Sequence, residues 1–444
     1  MKKDKNFLQF KKNIKNKKSI ISVIGLGYIG LPLSLACVKA GFRVIGIDRD
    51  IKKIDIINSD KSYISTISDN QIKISRKRNF IATNKFSFIS KSNIVIICVP
   101  TPINKSKKPI MNHIASVVGE IKKYLQKNQL FILECTSYPG TSEEFFLPVF
   151  KKKKLEVGKD VFLGYSPERE DPGNLKYSII KGNIAKVVSG YTDPCGILVK
   201  ELYSAFIKKV HPVSNIKTAE FTKLLENIYR SVNVGLVNEL YKICLKMNIN
   251  MYEAINAAST KPFGYKAFFP GPGVGGHCIP VDPHFLSWKA KQYGLSTKFI
   301  DLAGKINDNR PYEILEKNKK YFKKKENLTD RKKILVAGVA YKKNSDDARE
   351  SPAIKICSLL KSTFKDEVVI CDPFIESSIN KNFKRYKFVK IQKLKNKNFL
   401  RSLKLFLLVT NHDIFDYNFI SKNTKVIFDC RNGFKENTKN ILKV

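Results

Sequence analysis

The sequence predicts an α/β fold: two doubly wound domains joined by a central helical segment that carries a long helix. Three observations predict it. A strand, a glycine-rich turn, a helix and a second strand follow one another from Ser19 to Asp48. The run from Thr218 to Met247 holds no proline and one glycine, enough for roughly eight helical turns. Apolar strands that end in polar residues then begin again at Lys332.

Taken in order, residues 1–18 are a basic N-terminal tail without the apolar core of a signal peptide. Residues 19–211 form the first α/β domain. Its opening stretch, SIISVIGLGYIGLPLSLACVKAGFRVIGIDRD, is one βαβ unit of Rossmann-like pattern, and β-branched runs follow at 93–100, 130–137 and 161–167 with room for helices between them. Thr101, Thr136 and Glu168 stand at the C-terminal ends of those runs. Ligands of parallel doubly wound sheets bind at that edge, so these three are expected to converge on one cleft. Residues 212–312 are the central helical segment. On its long helix Phe221, Leu224, Leu225, Ile228 and Val232 make an apolar face, and Lys223, Asn227 and Arg230 make a polar stripe whose plainest reading is a solvated surface. Residues 313–444 are the second Rossmann-like domain, with strands in KKILVAGVAY, VVICDP, LFLLVTNH and KVIFDCRN. No short internal repeat is visible.

Composition narrows the function classes. The chain has 81 Lys and Arg against 39 Asp and Glu, a formal net charge of +42, which on its face suggests a polyanion partner. The lysines are spread among asparagine and isoleucine, and the dense runs fall at a terminus or between apolar segments, so solvated lysine is favoured over a specific nucleic-acid surface. The nine cysteines form no Cys-x-x-Cys pair, and no apolar run reaches the roughly 20 residues of a membrane helix. A cytoplasmic protein without membrane insertion is the expectation.

Two motifs carry chemistry. Gly25-Leu26-Gly27-Tyr28-Ile29-Gly30 lies between a strand and a helix, and Asp48 closes the next strand. That context makes a G-x-G-x-x-G a dinucleotide fingerprint, with the helix N-terminus offered to the pyrophosphate. Asp48 can accept from ribose hydroxyls and repels a 2′-phosphate, which favours NAD over NADP, with Arg49 beside it as the contrary sign. The second motif is GPGVGGHCIPVDPH, 271–284, where Cys278 ends the most glycine-rich loop of the chain. Cys278 reads as a buried structural thiol, as part of a metal site with His277, His284 and Asp282, or as a reactive nucleophile. A nicotinamide cofactor, a thiol, and a helix offering Lys223 and Asn227 together allow an aldehyde to be captured as a thiohemiacetal and oxidised to a thioester, giving an acid.

GLGYIGLP, CVPTP, ECTSYPGT, YSPEREDPGN, AEFTKLLENIYRSVN, GPGVGGHCIPVDP and AYKKNSDDARESPA occur in the order found in the UDP-glucose/GDP-mannose dehydrogenase family, and over 19–433 the chain resembles that family. The resemblance implies an NAD domain, a central dimerisation region, a C-terminal UDP-sugar domain, and two successive NAD-dependent oxidations of a sugar C6 alcohol to a carboxylate. It implies a homodimer through the central helix, or a higher oligomer. By the same resemblance Cys278 is the nucleophile, Lys223 stabilises the oxyanion with Asn227 assisting, Asp282 positions a water, Glu168 serves thioester hydrolysis, and Thr136 lies beside the nicotinamide and water. Tyr28, Ile29, Arg49, Lys53, Thr101 and, from the C-terminal domain, Arg349 join the three glycines and Asp48 as NAD contacts. Arg169, Phe269, Gly271, Gly273, Gly276 and Lys342 join Glu168, Lys223 and Asn227 around the substrate. No role for His277 or His284 and no metal are implied.

The UDP-glucose branch typically reads Pro-Glu-Phe-Leu-Arg-Glu and Cys-x-Pro-Lys-Asp. This chain has Pro167-Glu168-Arg169-Glu170-Asp171-Pro172 and Cys278-Ile279-Pro280-Val281-Asp282. Those segments are more similar to the branch acting on UDP-N-acetylhexosamines, above all the UDP-N-acetylglucosamine 6-dehydrogenases of bacterial polysaccharide pathways. UDP-N-acetylmannosamine and UDP-glucose are the alternatives. Rivals from other classes are a polyanion-binding protein and a two-electron dehydrogenase for which Cys278 has no use.

Overall fold

The computed structural model describes residues 5–64, 66–170, 178–324, 332–375, 381–435 and 438–444. Contacts divide the chain into two units, Met1–Glu226 with His284–Leu295, and Asn227–Pro283 with Ser296–Val444. The first holds strands β1 (Ile20–Ile24), β2 (Arg43–Ile47), β3 (Phe80–Thr83), β4 (Ile94–Ile97), β5 (Gln129–Leu133), β6 (Val161–Tyr165), β7 (Lys186–Gly190) and β8 (Val210–Pro212). They lie in the order β3-β2-β1-β4-β5-β6-β7-β8. Every neighbouring pair is parallel except β6 and β7, a reversal that the expected parallel sheet does not include. Successive strand residues feed two different cores: Ile21, Val23, Ile94, Ile96, Leu130 and Ile132 pack on one face, and Ile24, Val95, Ile97, Phe131 and Leu133 on the other. A strand covered on both faces reads as an unbroken apolar run, which is why these segments stand out in the sequence.

Residues read as a basic tail include a helix, Lys5–Lys15. Phe7, Phe10 and Ile14 recur at helical spacing; Phe10 and Ile14 are buried in the first core, and the Phe10 ring meets Phe162 at 5.7 Å. Three apolar residues among lysines are enough to dock it.

The second unit holds β9 (Lys333–Ala337), β10 (Glu367–Cys371), β11 (Lys387–Phe388), β12 (Leu405–Leu408), β13 (Ile427–Asp429) and β14 (Ile441–Lys443), all paired in parallel in the order β11-β10-β9-β12-β13-β14. Both sheets therefore follow the 3-2-1-4-5-6 order of the dinucleotide-binding fold.

The long helix spans Ile216–Lys246. Its expected faces are partly exchanged. Lys223 and Asn227 are buried while Phe221 and Leu225 are 40% and 53% exposed; only Leu224, among the expected apolar positions, is wholly buried. Asn227 stays inside because the Asp282 carboxylate meets it there, and the buried Lys223 charge acts on the Glu168 carboxyl.

Candidate active site

In the first unit the turn after β1 is built for a phosphate. Gly25 has φ of +93°, and a Cβ added there would come 2.6 Å from the Cys98 carbonyl, while one at Gly30 would overlap the carbonyl of Gly25. A Cβ at Gly27 would meet nothing within 4 Å, so the backbone there is open to a ligand. The three glycines thus divide into turn, cradle and helix packing, as a pyrophosphate site requires. Asp48 faces this turn. Its Oδ2 accepts from the Leu26 amide at 2.8 Å and from Lys53 at 3.2 Å, and its Oδ1 accepts from the Asp50 amide at 2.9 Å. One acceptor direction on Oδ1 remains for a ribose hydroxyl. Arg49 turns to Ser116 and lies over the Phe86 ring, and Tyr28 and Ile29 lead into the helix Gly30–Lys39.

Thr101 and Thr136 do come together: the Thr101 hydroxyl donates to the Thr136 carbonyl at 2.7 Å. Glu168 follows β6, the neighbour of β5, and sits in a cluster that sequence reading missed. Lys186, the first residue of β7, donates to Glu168 Oε2 at 3.0 Å and to Glu134 Oε2 at 2.9 Å. The Tyr203 hydroxyl holds the other oxygen of Glu134, and Glu168 Oε1 accepts from the amides of Arg169 and Glu170. Burial pushes Glu168 up, but the Lys186 ammonium, the Glu170 amide and the Lys223 charge outweigh it and leave the carboxyl below its ordinary range. Burial wins at Glu134, which is pushed up against the pull of Lys186. The available signal was a lysine opening the short strand KVVSG. Arg169 donates to the Ala185 carbonyl and pairs with Glu226 at 2.7 Å. Of the 166–174 segment that departs from the UDP-glucose branch, Asp171, Pro172 and the two residues after them lie outside the described residues.

Glu220 was also missed. From the long helix, one turn before Lys223, its carboxylate accepts from the Gly140 amide at 2.5 Å and from the amide and hydroxyl of Ser142 at 2.9 and 2.8 Å. It caps the helix Thr141–Lys152 and ties the Thr136–Gly140 loop to the helix that carries Lys223. Lys289 pairs with Glu144 and lies over Tyr138, which also packs on Trp288.

In the second unit the glycine loop is pinned on several sides. The Gly271 amide donates to Asn238 and its carbonyl accepts from Arg310, and a Cβ there would strike the Arg431 guanidinium. Gly273 and Gly276 have φ of +130° and +82°; the Gly276 amide bonds the Arg349 carbonyl, and its α-carbon faces the Tyr341 ring. Phe269 is half exposed and stacked on Tyr252. The Cys278 carbonyl accepts the amides of Val281 and Asp282, which sets the thiol-bearing residue at the entry to the helix Asp282–Lys291. Asp282 Oδ2 accepts from the Asn227 side chain at 2.6 Å, both residues buried. Arg349 chelates Asp347, and Lys342 lies over Tyr341. Among the described residues no group of three His, Cys, Asp or Glu side chains is placed to hold a metal.

Family models match three successive stretches of the chain. The NAD binding domain of the UDP-glucose/GDP-mannose dehydrogenase family matches residues 19–207, its central domain 217–309, and its UDP binding domain 335–436. A UDP-N-acetyl-D-mannosamine dehydrogenase of Methanocaldococcus jannaschii is 36% identical over 77% of this chain and 76% of its own. A UDP-N-acetyl-D-glucosamine 6-dehydrogenase of Pseudomonas aeruginosa is 33% identical over 80% and 83%. The solved UDP-D-ManNAc dehydrogenase of Pyrococcus horikoshii superposes with a TM-score of 0.84 at 29% identity, covering 95% of this chain and 98% of the other. With the dinucleotide turn, the cysteine loop and all three domain matches in place, the chain belongs to the UDP-glucose/GDP-mannose dehydrogenase family and is an NAD-dependent UDP-sugar dehydrogenase.

Proposed function

We propose that the chain oxidises the C6 alcohol of a UDP-N-acetylhexosamine, first of all UDP-N-acetylglucosamine, to the uronic acid, with Cys278 holding the carbon between the two oxidations. The observation that carries the reading is the arrangement of 271–284, in which a thiol is fixed at a helix entrance four residues before a buried carboxylate that Asn227 orients. When bound, NAD supplies the hydride acceptor for both oxidations. Lys223 and Asn227 stabilise negative charge on the C6 oxygen as its proton passes to a water that Asp282 positions. The Cys278 sulfur adds to the aldehyde carbon to give a thiohemiacetal, whose oxidation gives a thioester. Asp282 and the Thr136 hydroxyl position a water. That water adds to the thioester carbonyl carbon, one of its protons passes to Glu168, and the C–S bond breaks with its electron pair returning to sulfur. Arg349 reaches the cofactor and Lys342, Arg169, Phe269 and the loop glycines hold the UDP-sugar.

The motifs SPERE and GGHCIPVDP support the N-acetylhexosamine branch. The mannosamine epimer is the second reading, favoured by the 36% identical relative from Methanocaldococcus jannaschii. A homodimer through the long helix is also proposed: Leu225, Tyr229, Leu236, Leu240, Ile243 and Met247 recur at helical spacing and are all 39% exposed or more. The test is incubation with NAD and UDP-N-acetylglucosamine, UDP-N-acetylmannosamine or UDP-glucose, with NADH counted and product mass measured. Two NADH per sugar and a carboxylate product are expected. One NADH and an aldehyde would overturn the mechanism, and UDP-glucose ranking first in kcat/KM would overturn the branch.

A further inference from the structure

We propose that Lys186 is a positioning residue of the hydrolytic step: anchored by Glu134, it fixes where the Glu168 carboxylate points. The inference rests on the hydrolytic role proposed for Glu168. Lys186 is 2% exposed and Glu134 wholly buried, so the two do not form a surface ion pair. Burying an ammonium is costly unless its partners are well placed, and here the two carboxylates meet it at 2.9 and 3.0 Å. Glu134 is itself held from the far side by Tyr203, whose ring also lies under the ammonium at 5.3 Å. The anchor therefore has no freedom to turn.

Glu168 is held in turn. Its Oε1 receives two backbone amides and its Oε2 receives Lys186. A carboxylate oxygen accepts about two hydrogen bonds, so one direction on Oε2 is left to take a proton from water. Two amides alone would leave the carboxylate free to swing about its own axis, and Lys186 removes that freedom. The charged and titratable groups facing the cluster are Lys186 from β7, Glu134 after β5, Tyr203 from the helix Asp193–Tyr203, Lys223 from the long helix, and the thiols of Cys37 and Cys98, which burial keeps neutral. Lys186 is the one cation among them in contact with Glu168. Without it, Glu168 keeps its burial and loses its nearest counter-charge, so it should take up a proton at higher pH.

The experiment compares Lys186→Met, Lys186→Arg, Glu134→Gln and Glu168→Gln in the full chain, with NAD and the sugar nucleotide that the wild type oxidises. Three readouts are used: pre-steady-state NADH release, the mass of the protein after quenching in acid, and the pH profile of kcat. For Lys186→Met a burst of up to two NADH per site, a protein carrying the acyl group, a kcat loss of up to about a hundredfold, and an acid limb moved to higher pH are expected. Lys186→Arg should restore most of the rate and return the limb, and Glu134→Gln should lie between. A kcat loss in Lys186→Met with the limb unmoved and no acyl-protein would mean a purely structural role and overturn the proposal. If Lys186→Met does not fold, Lys186→Arg and Glu134→Gln decide: wild-type limbs and no acyl-protein in both overturn it. Acyl-protein absent from Glu168→Gln as well would instead mean that the parent assignment of Glu168 is what fails.

Discussion

Glu220 gives the chain a pH-dependent weakness that can be worked out in advance. The carboxyl is wholly buried, and burial pushes it up to about 7 from an ordinary value of 4.5, against the pull of the Ser142 and Gly140 donors. Between those values the folded protein binds a proton that the unfolded chain has already released. The contribution of this group to stability is therefore complete below about pH 4.5 and is lost as pH rises through about 7. Such a gap corresponds to roughly 3 kcal/mol. Glu220→Gln keeps the shape and one acceptor but cannot ionise. Its amide must turn an N–H toward one of the present donors, a fixed cost of about 1–3 kcal/mol at every pH. Guanidinium chloride unfolding at pH 5 and pH 8 measures the difference, followed by fluorescence of Trp288, the single tryptophan of the chain, which packs 4.9 Å from Tyr138 beside this cap. Relative to the variant, the wild type should lose roughly 3 kcal/mol between the two pH values; other titrating groups cancel in the comparison. Parallel pH dependence in the two proteins would refute the reasoning. So would a wild type that gains on the variant as pH rises, because the three donors would then favour the anion more than burial opposes it.

Three further outcomes are expected of the site and the helix. Cys278→Ala should lower acid formation by about a thousandfold or more while NAD still binds, measured by product mass and by cofactor fluorescence titration; full activity with the alanine would return Cys278 to a structural role. Asp48→Ala should weaken NAD by about ten- to a hundredfold, through loss of charged hydrogen bonds, and narrow the preference over NADP, read as the ratio of kcat/KM values. Replacing Leu236 and Leu240, 51% and 39% exposed on the long helix, by lysine should shift the protein toward monomer in sedimentation velocity without lowering the unfolding midpoint of either unit.

Both α/β units were legible because their strands are buried on two faces and end in polar residues, and the G-x-G-x-x-G turn was legible because each glycine has a distinct steric duty. The helix Lys5–Lys15 was hidden by lysines that outnumber its three docking residues. Lys223 and Asn227 read as solvated from periodicity alone, since periodicity reports the type of side chain and carries no knowledge of a partner such as Asp282, which lies 55 residues beyond Asn227 and accepts its hydrogen bond. The Glu134–Lys186–Glu168 cluster joins residues from three separate strands' ends, and the antiparallel pairing that brings β7 beside β6 has no sign in the sequence. Glu220 and Gly140, 80 residues apart, escaped for the same reason.

The two units also show how one turn can serve two ends. In each, a glycine of positive φ comes directly after the first strand, its amide bonds the residue that closes the second strand, and the next amide bonds an aspartate: Gly25, Ile47 and Asp48 in one, Gly338, Cys371 and Asp372 in the other. No short sequence repeat betrays this, because the geometry needs only the glycine and the aspartate. The residues beyond that glycine separate the two turns. The open Gly27 of the first turn is matched by buried Ala340 in the second, and Gly30 by Lys343. Asp48 keeps an acceptor direction for a ribose, whereas Asp372 is saturated by the amides of Val339, Ala340, Phe374 and Ile375 and by His412. His412 must carry its proton on Nε2, since its Nδ1 accepts the Asn344 amide. The second aspartate is thus consumed in holding its own turn together, and the capacity to bind a dinucleotide belongs to the unit whose turn leaves backbone and carboxylate unfilled.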